Sequence, residues 1–159
     1  MTVGNNGELY VAGADTNSNM QIMKSLNAQV PSSTIVWNTP VSVNLNGMLN
    51  AGGPINPAGL LGQANVDVDR SSGPSRNNVY VVAAVSPSSS SDPGDVMFSR
   101  STDGGNTWIQ LDDSGITNCG DLLGGCGTSQ GSYNLELAAV PNGTATDLYA
   151  AQSISTNAR

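Results

Sequence analysis

"NNVYVVAAV", residues 77–85, decides the fold, because the chain contains it three times in altered form. The other copies are "GELYVAGA" at 7–14 and "TDLYAAQSI" at 146–154. Each opens on polar, turn-forming residues, then gives an aliphatic residue, a tyrosine, and small or β-branched residues that suit a pleated strand. The tyrosines are Tyr10, Tyr80 and Tyr149, spaced by 70 and 69 residues. Near-equal spacing is the mark of an internal repeat.

The flanks repeat as well. "QIMKSLNA" (21–28) follows the first copy and "DVMFSRST" (95–102) the second, each placing a basic residue before a serine, at Lys24–Ser25 and Arg100–Ser101. A tryptophan follows in each, Trp37 and Trp108, 71 residues apart. Upstream of the second and third tyrosines lie "ANVDVD" (64–69) and "YNLELAAV" (133–140), which alternate with the two-residue period of a strand. With the four strands of one unit labelled a to d, the chain reads b-c-d, a-b-c-d, a-b. Four antiparallel strands per unit point to an all-β fold, a β-propeller segment of roughly two four-stranded blades. The expected division is a partial blade at 1–45, a loop at 46–63, a complete blade at 64–113, a loop at 114–132 and a partial blade at 133–159.

Composition agrees and sets exclusions. Only 11% of the residues are charged, so the polarity comes from Ser, Thr, Asn and Gly, as in β proteins rich in turns. Five basic residues against twelve acidic ones give a net charge of −7, which leaves nothing to track a phosphate backbone, and nucleic acid is not expected as a partner. The absence of histidine removes imidazole-bound zinc and every Ser–His or Cys–His mechanism. No apolar run is long enough for a membrane-spanning helix. Cys119 and Cys126, with six residues between them in "CGDLLGGC", have neither zinc-knuckle nor redox-pair spacing. They are read as a local disulfide, with free thiols as the alternative, and a disulfide implies an oxidising, secreted location.

The stretch "SRSTDGGNTWIQ" (99–110) falls between strands c and d of the second blade. Asp103 can accept hydrogen bonds from its own turn, Gly104 and Gly105 can take positive φ, Thr107 returns the chain to strand geometry, and Trp108 can bury its indole between sheets. Ser101, Asp103, Gly105, Thr107 and Trp108 match Ser-x-Asp-x-Gly-x-Thr-Trp and so resemble the Asp-box, or bacterial neuraminidase repeat, of sialidase-like β-propellers. The first blade keeps Ser25 and Trp37 but lacks the Asp and Gly pattern. The resemblance implies a structural turn on the face away from the substrate.

Turns a–b and c–d share one face and loops b–c and d–a the other. The opposite face collects the long stretches 46–63, 86–95 and 114–132, and any glycan or protein ligand is expected there. Asp112, Asp113 and Asp121 are its candidate ligand contacts. Asp67 and Asp69 end a strand on the Asp-box side, where turn N–H groups are their natural partners. The stretch "DVDRSSG" (67–73) departs from a calcium loop, with Gly at the seventh position and Asn78 in place of the bidentate Glu. No metal and no cofactor are expected. A sialidase resemblance would imply an arginine cluster, an activated tyrosine and an acid–base Asp, but the arginine motif is missing, and Arg70, Arg76, Arg100 and Arg159 cannot be gathered. The tyrosines recur at one point of the repeat and are read as packing residues. The expectation is a secreted, non-catalytic scaffold binding a glycan or protein, with neighbouring blades or further copies as partners. The alternatives are a fragment of a sialidase-like glycoside hydrolase and a surface or filament protein joined through sheet edges. Two blades do not close a ring, so the chain is read as a fragment.

Overall fold

The computed structural model describes residues 1–49, 63–87, 95–111, 135–142 and 145–152. The chain is all-β: every paired strand is antiparallel and no α-helix occurs among the described residues. It builds successive units of one pattern, the architecture of a β-propeller segment.

Unit 1 is a four-stranded sheet of β1 (Thr2–Val3), β2 (Leu9–Ala14), β3 (Met20–Ser25) and β4 (Val41–Ser42), in that order. The two-residue β1 supplies a strand a that the sequence reading, starting at strand b, does not contain. Unit 2 holds β5 (Gly47–Leu49), β6 (Asn65–Val68), β7 (Val79–Pro87), β8 (Asp95–Ser101) and β9 (Ile109–Gln110). Its strand a comes in two pieces on one edge of β7. β6 pairs with the first half (Asp67 opposite Tyr80), and β5 pairs with the far end (Gly47 opposite Pro87). The stretch 46–63, expected as a loop, therefore begins as strand. Unit 3 is the hairpin of β10 (Leu135–Asn142) and β11 (Ala145–Gln152).

The register carries the repeat at residue level. Tyr10 lies opposite Thr2 and Lys24, Tyr80 opposite Asp67 and Arg100, and Tyr149 opposite Ala138. Side chains alternate across each sheet. On β7, Val79, Val81, Ala83 and Val85 face unit 1 and join Tyr10, Met20, Ile22, Val66, Val68 and Met97 in the main core. Val82 turns the other way, to Val96 and Phe98. β7 is thus covered on both sides, and its residues from Val79 to Val85 are all buried, which explains its unbroken apolar sequence. Fully burying one such valine contributes about 1.5–3 kcal/mol, so this strand anchors the stack.

Asp67 ties three units together. Its Oδ1 accepts from Thr2 Oγ1 of unit 1 (2.9 Å), from Arg70 (3.0 Å) and from Val68 N (2.9 Å), while Oδ2 accepts from Ala139 N of unit 3 (3.0 Å). Arg70 also donates to Thr2 Oγ1 and to the Val3 carbonyl, at 2.7 and 2.9 Å. Burial pushes the Asp67 carboxyl up, but the Ala139 and Val68 amides, Thr2 and Arg70 together bring it below its ordinary value. Asp69, fully buried, accepts from Ser71 N at 2.6 Å. No helix among the described residues is long and apolar enough to cross a membrane.

Candidate functional site

The two ends of the stacked sheets are built differently. One end carries the connections from strand a to b and from c to d. There, Ser101, Asp103, Gly105, Thr107 and Trp108 close on one another. Asp103 Oδ1 accepts from Ser101 Oγ (2.8 Å), Asn106 N (2.9 Å) and Thr107 N (2.9 Å), and Oδ2 accepts from Thr107 Oγ1 (2.7 Å). Ser101 Oγ in turn accepts from Gly105 N at 2.8 Å. Gly104 and Gly105 have φ of 70° and 88°, the left-handed region open to glycine. The Trp108 indole N–H donates to the Gly105 carbonyl at 3.2 Å while its rings pack on the main core. The hydroxyl and amide of Thr107, with Ser101 and Asn106, hold the Asp103 carboxyl far below the usual carboxylate range. Both carboxylate oxygens of Asp103 thus accept hydrogen bonds from within its own turn.

This turn also grips unit 1. Lys24 Nζ donates to the Gly104 carbonyl at 2.7 Å, and a Cβ at Gly105 would sit 3.5 Å from the Tyr10 ring. The sequence pattern marked Lys24 as repeat-equivalent to Arg100 but gave no sign of this contact. It also missed Asn27. Ser25 Oγ donates to Asn27 Oδ1 (3.0 Å), which also accepts from Val36 N (2.9 Å), just as Asp103 accepts from Ser101 and Thr107. Asn27 therefore takes the place of Asp103 in unit 1, across a longer connection.

The other end carries the connections from b to c and from d to a, and it holds a groove of about 550 Å³. Its polar lining is Asn19, Ser42, Asn44, Asn46 and Ser86, with Met48 as an apolar ledge. Local sequence puts them there. In "VSVNLN" (41–46), Val43 and Leu45 point into the core, at 4% and 1% exposure, so Ser42, Asn44 and Asn46 point out. Asn46 takes a φ of 57° and its amide donates to Asn44 Oδ1 at 2.9 Å, turning the chain into β5. Asp15 fixes the opposite wall. It accepts from the amides of Asn17 and Asn19, each at 2.8 Å, and from Asn19 Nδ2 at 3.0 Å. The Asn19 side-chain bond is the first cause of a lowered Asp15 carboxyl. Leu49 N donates to the Ser18 carbonyl at 2.7 Å, joining the two walls.

Among the described residues, the groove offers amides, hydroxyls, backbone groups, the aliphatic side chains of Val43 and Leu45 and one thioether, and no charged side chain lines it. Lys24, Arg70, Arg76 and Arg100 all lie toward the opposite end, near the chain reversals that follow Ser25, Val68 and Ser101. The described lining residues include no acid–base pair and no nucleophile with a base beside it; what they offer is neutral hydrogen bonding and apolar contact. Among the described residues, no three His, Cys, Asp or Glu side chains gather as a metal site. Asp112, Asp113 and Asp121, the expected ligand contacts, and Cys119 and Cys126, the expected disulfide, lie outside the described residues. The sequence reading pointed to this end through its long stretches, but the groove residues themselves went unnoticed. The polar/apolar alternation of "VSVNLN" was the available signal. Compared with protein-family models, curated proteins and solved structures, the chain matches none.

Proposed function

We propose that the chain is a secreted, non-catalytic β-propeller segment that binds a neutral glycan across the groove between units 1 and 2, at the end opposite the 101–108 turn. One observation carries this reading: a groove walled by Asn19, Ser42, Asn44 and Ser86 with Met48 exposed, and no charge among its described lining residues. Sugar hydroxyls exchange hydrogen bonds with amides and hydroxyls, and a sugar's C–H face lies against an apolar ledge. The same lining argues against an acidic sugar, whose carboxylate calls for a cation that the described lining lacks. That weighs against the sialidase-like hydrolase reading. The internal bonding of the 101–108 turn supports its assignment as an Asp-box with a structural task, since both carboxylate oxygens accept bonds from within the turn.

The test is a glycan array carrying uncharged and sialylated oligosaccharides, followed by titration calorimetry on the hits. Uncharged glycans should bind, and Asn44→Ala should weaken them by up to about tenfold, the worth of one hydrogen bond of about 1.4 kcal/mol. Retention of sialylated glycans alone, or turnover of a fluorogenic sialoside, would overturn the reading. Capture of a protein through the same residues would transfer the groove to a protein ligand.

A further inference from the structure

Unit 1 keeps one face in the pattern of a covered interface. The register aligns the two units: Val3 with Val68, Leu9 with Val79, Val11 with Val81, and Met23 with Ser99. Trp37 precedes Asn38, which donates to the Lys24 carbonyl, as Trp108 precedes Ile109 opposite Arg100, so the tryptophans correspond too. In unit 2 these positions close against unit 1: Val68 is 1% exposed, Val79 and Val81 are 0%, and Trp108 packs on the same core. In unit 1 the residues stay largely apolar, yet Val3 is 51% and Trp37 39% exposed, and Leu9, Val11 and Met23 are only half-buried. A face evolved for water would place polar side chains at these alternate positions. A contiguous apolar patch of this kind marks an association site.

What fits the patch is visible inside the chain. The matching face of unit 2 is covered by the strand pair that carries Tyr10, Met20 and Ile22. Unit 3 repeats β1 and β2 of that sheet, the strands on either side of the Tyr10 register, with Tyr149 opposite Ala138 as Tyr10 is opposite Thr2. The chain therefore holds a receiving face in unit 1 and, in unit 3, the first two strands of the kind of sheet that such a face receives, with Val140, two positions along the same face from Ala138, 43% exposed. We infer that the open face of unit 1, through Val3, Leu9, Val11, Met23 and Trp37, takes unit 3 of a second copy of this chain, continuing the contact between units 1 and 2 from one molecule to the next. Such a contact is head-to-tail, joining different patches on the two copies.

Light scattering after size exclusion tests this on the whole chain. At about 100 μM, where a contact of micromolar strength is populated, the mass should exceed that of one chain. Trp37→Glu and Val11→Glu should each weaken association at least about tenfold, the order expected for a charge placed in an apolar contact, with circular dichroism unchanged. Ile109→Glu, at a site 60% exposed on unit 2, should leave association as it is. Mixing Val11→Glu with Val140→Glu, the latter at a site 43% exposed on unit 3, should restore pairs, because each variant retains the face that the other lacks. A chain that stays monomeric, association that ignores Trp37→Glu and Val11→Glu, or a mixture of folded variants that forms no pairs would overturn the inference.

Discussion

Asp67→Ala is the most informative single substitution. The carboxylate bonds to units 1, 2 and 3 together, through Thr2, Arg70 and Ala139. Removing it strands the Ala139 amide on a residue only 8% exposed, where an unsatisfied donor costs about 1–3 kcal/mol. The losses at Thr2 and Arg70 add less, because Arg70 is 45% exposed and a solvated ion pair is worth about 0.2–1 kcal/mol. Together they predict a loss of about 3 kcal/mol, which in a chain of this size lowers Tm by about 6–12 °C. Asp67→Asn keeps one acceptor oxygen but no charge and should fall between. Thermal unfolding followed by circular dichroism at pH 7 reads both. The cost should also shrink when Arg70→Met is already present, since the two residues share partners. A Tm for Asp67→Ala within about 1 °C of the unsubstituted chain would refute the reasoning, since about 3 kcal/mol cannot produce so small a shift.

Other consequences follow from the turn end. Gly105→Ala should cost about 1–2 kcal/mol, because its φ of 88° is unfavourable for an L-residue although a Cβ there would meet its nearest atom at 3.5 Å. Gly13→Ala, with no atom within 4 Å and no positive φ, should leave Tm unchanged in the same melts. Lys24→Met should loosen the turn from unit 1 by about 1 kcal/mol and make the amides of Gly104 and Gly105 exchange faster with deuterium, because it removes the bond to the Gly104 carbonyl. The Asp103 carboxyl lies below its ordinary value of about 3.9, so its contribution is complete above that pH and fades as the pH falls below it. The Tm advantage of the unsubstituted chain over Asp103→Asn should therefore narrow below about pH 4, and only modestly in size because the group is exposed; a gap that does not change with pH would contradict the assignment.

Much of this fold is legible because the repeat writes the same physical solution more than once. Tyr10 and Tyr80, with Lys24 and Arg100 beside them, mark the same register in two sheets, and spacing alone reveals it. β1 escapes because two residues, Thr2 and Val3, show no period, and only their pairing with Tyr10 and Leu9 makes them a strand. β5 escapes because Gly47 to Leu49 sit among glycines and prolines that read as loop, and they become strand by meeting the far end of β7. Asn27 escapes because an amide replaces the carboxylate and nine residues, not four, separate it from its amide donor. The groove is assembled from Asn19, Ser42–Met48 and Ser86, which are distant in sequence and ordinary in type, so no motif announces it. Its polarity is readable only once Val43 and Leu45 are known to point inward.

The proposed function divides the labour between the two ends, with the turns bracing the sheets and the groove meeting the ligand. Amide chemical shifts of the 15N-labelled chain, followed during titration with the neutral oligosaccharide retained most strongly on the array, test that division directly. The account predicts movement at Asn19, Asn44, Gly47 and Ser86, with Asp103, Asn106 and Thr107 unmoved. Movement confined to the 101–108 turn, with the groove amides still, would contradict it.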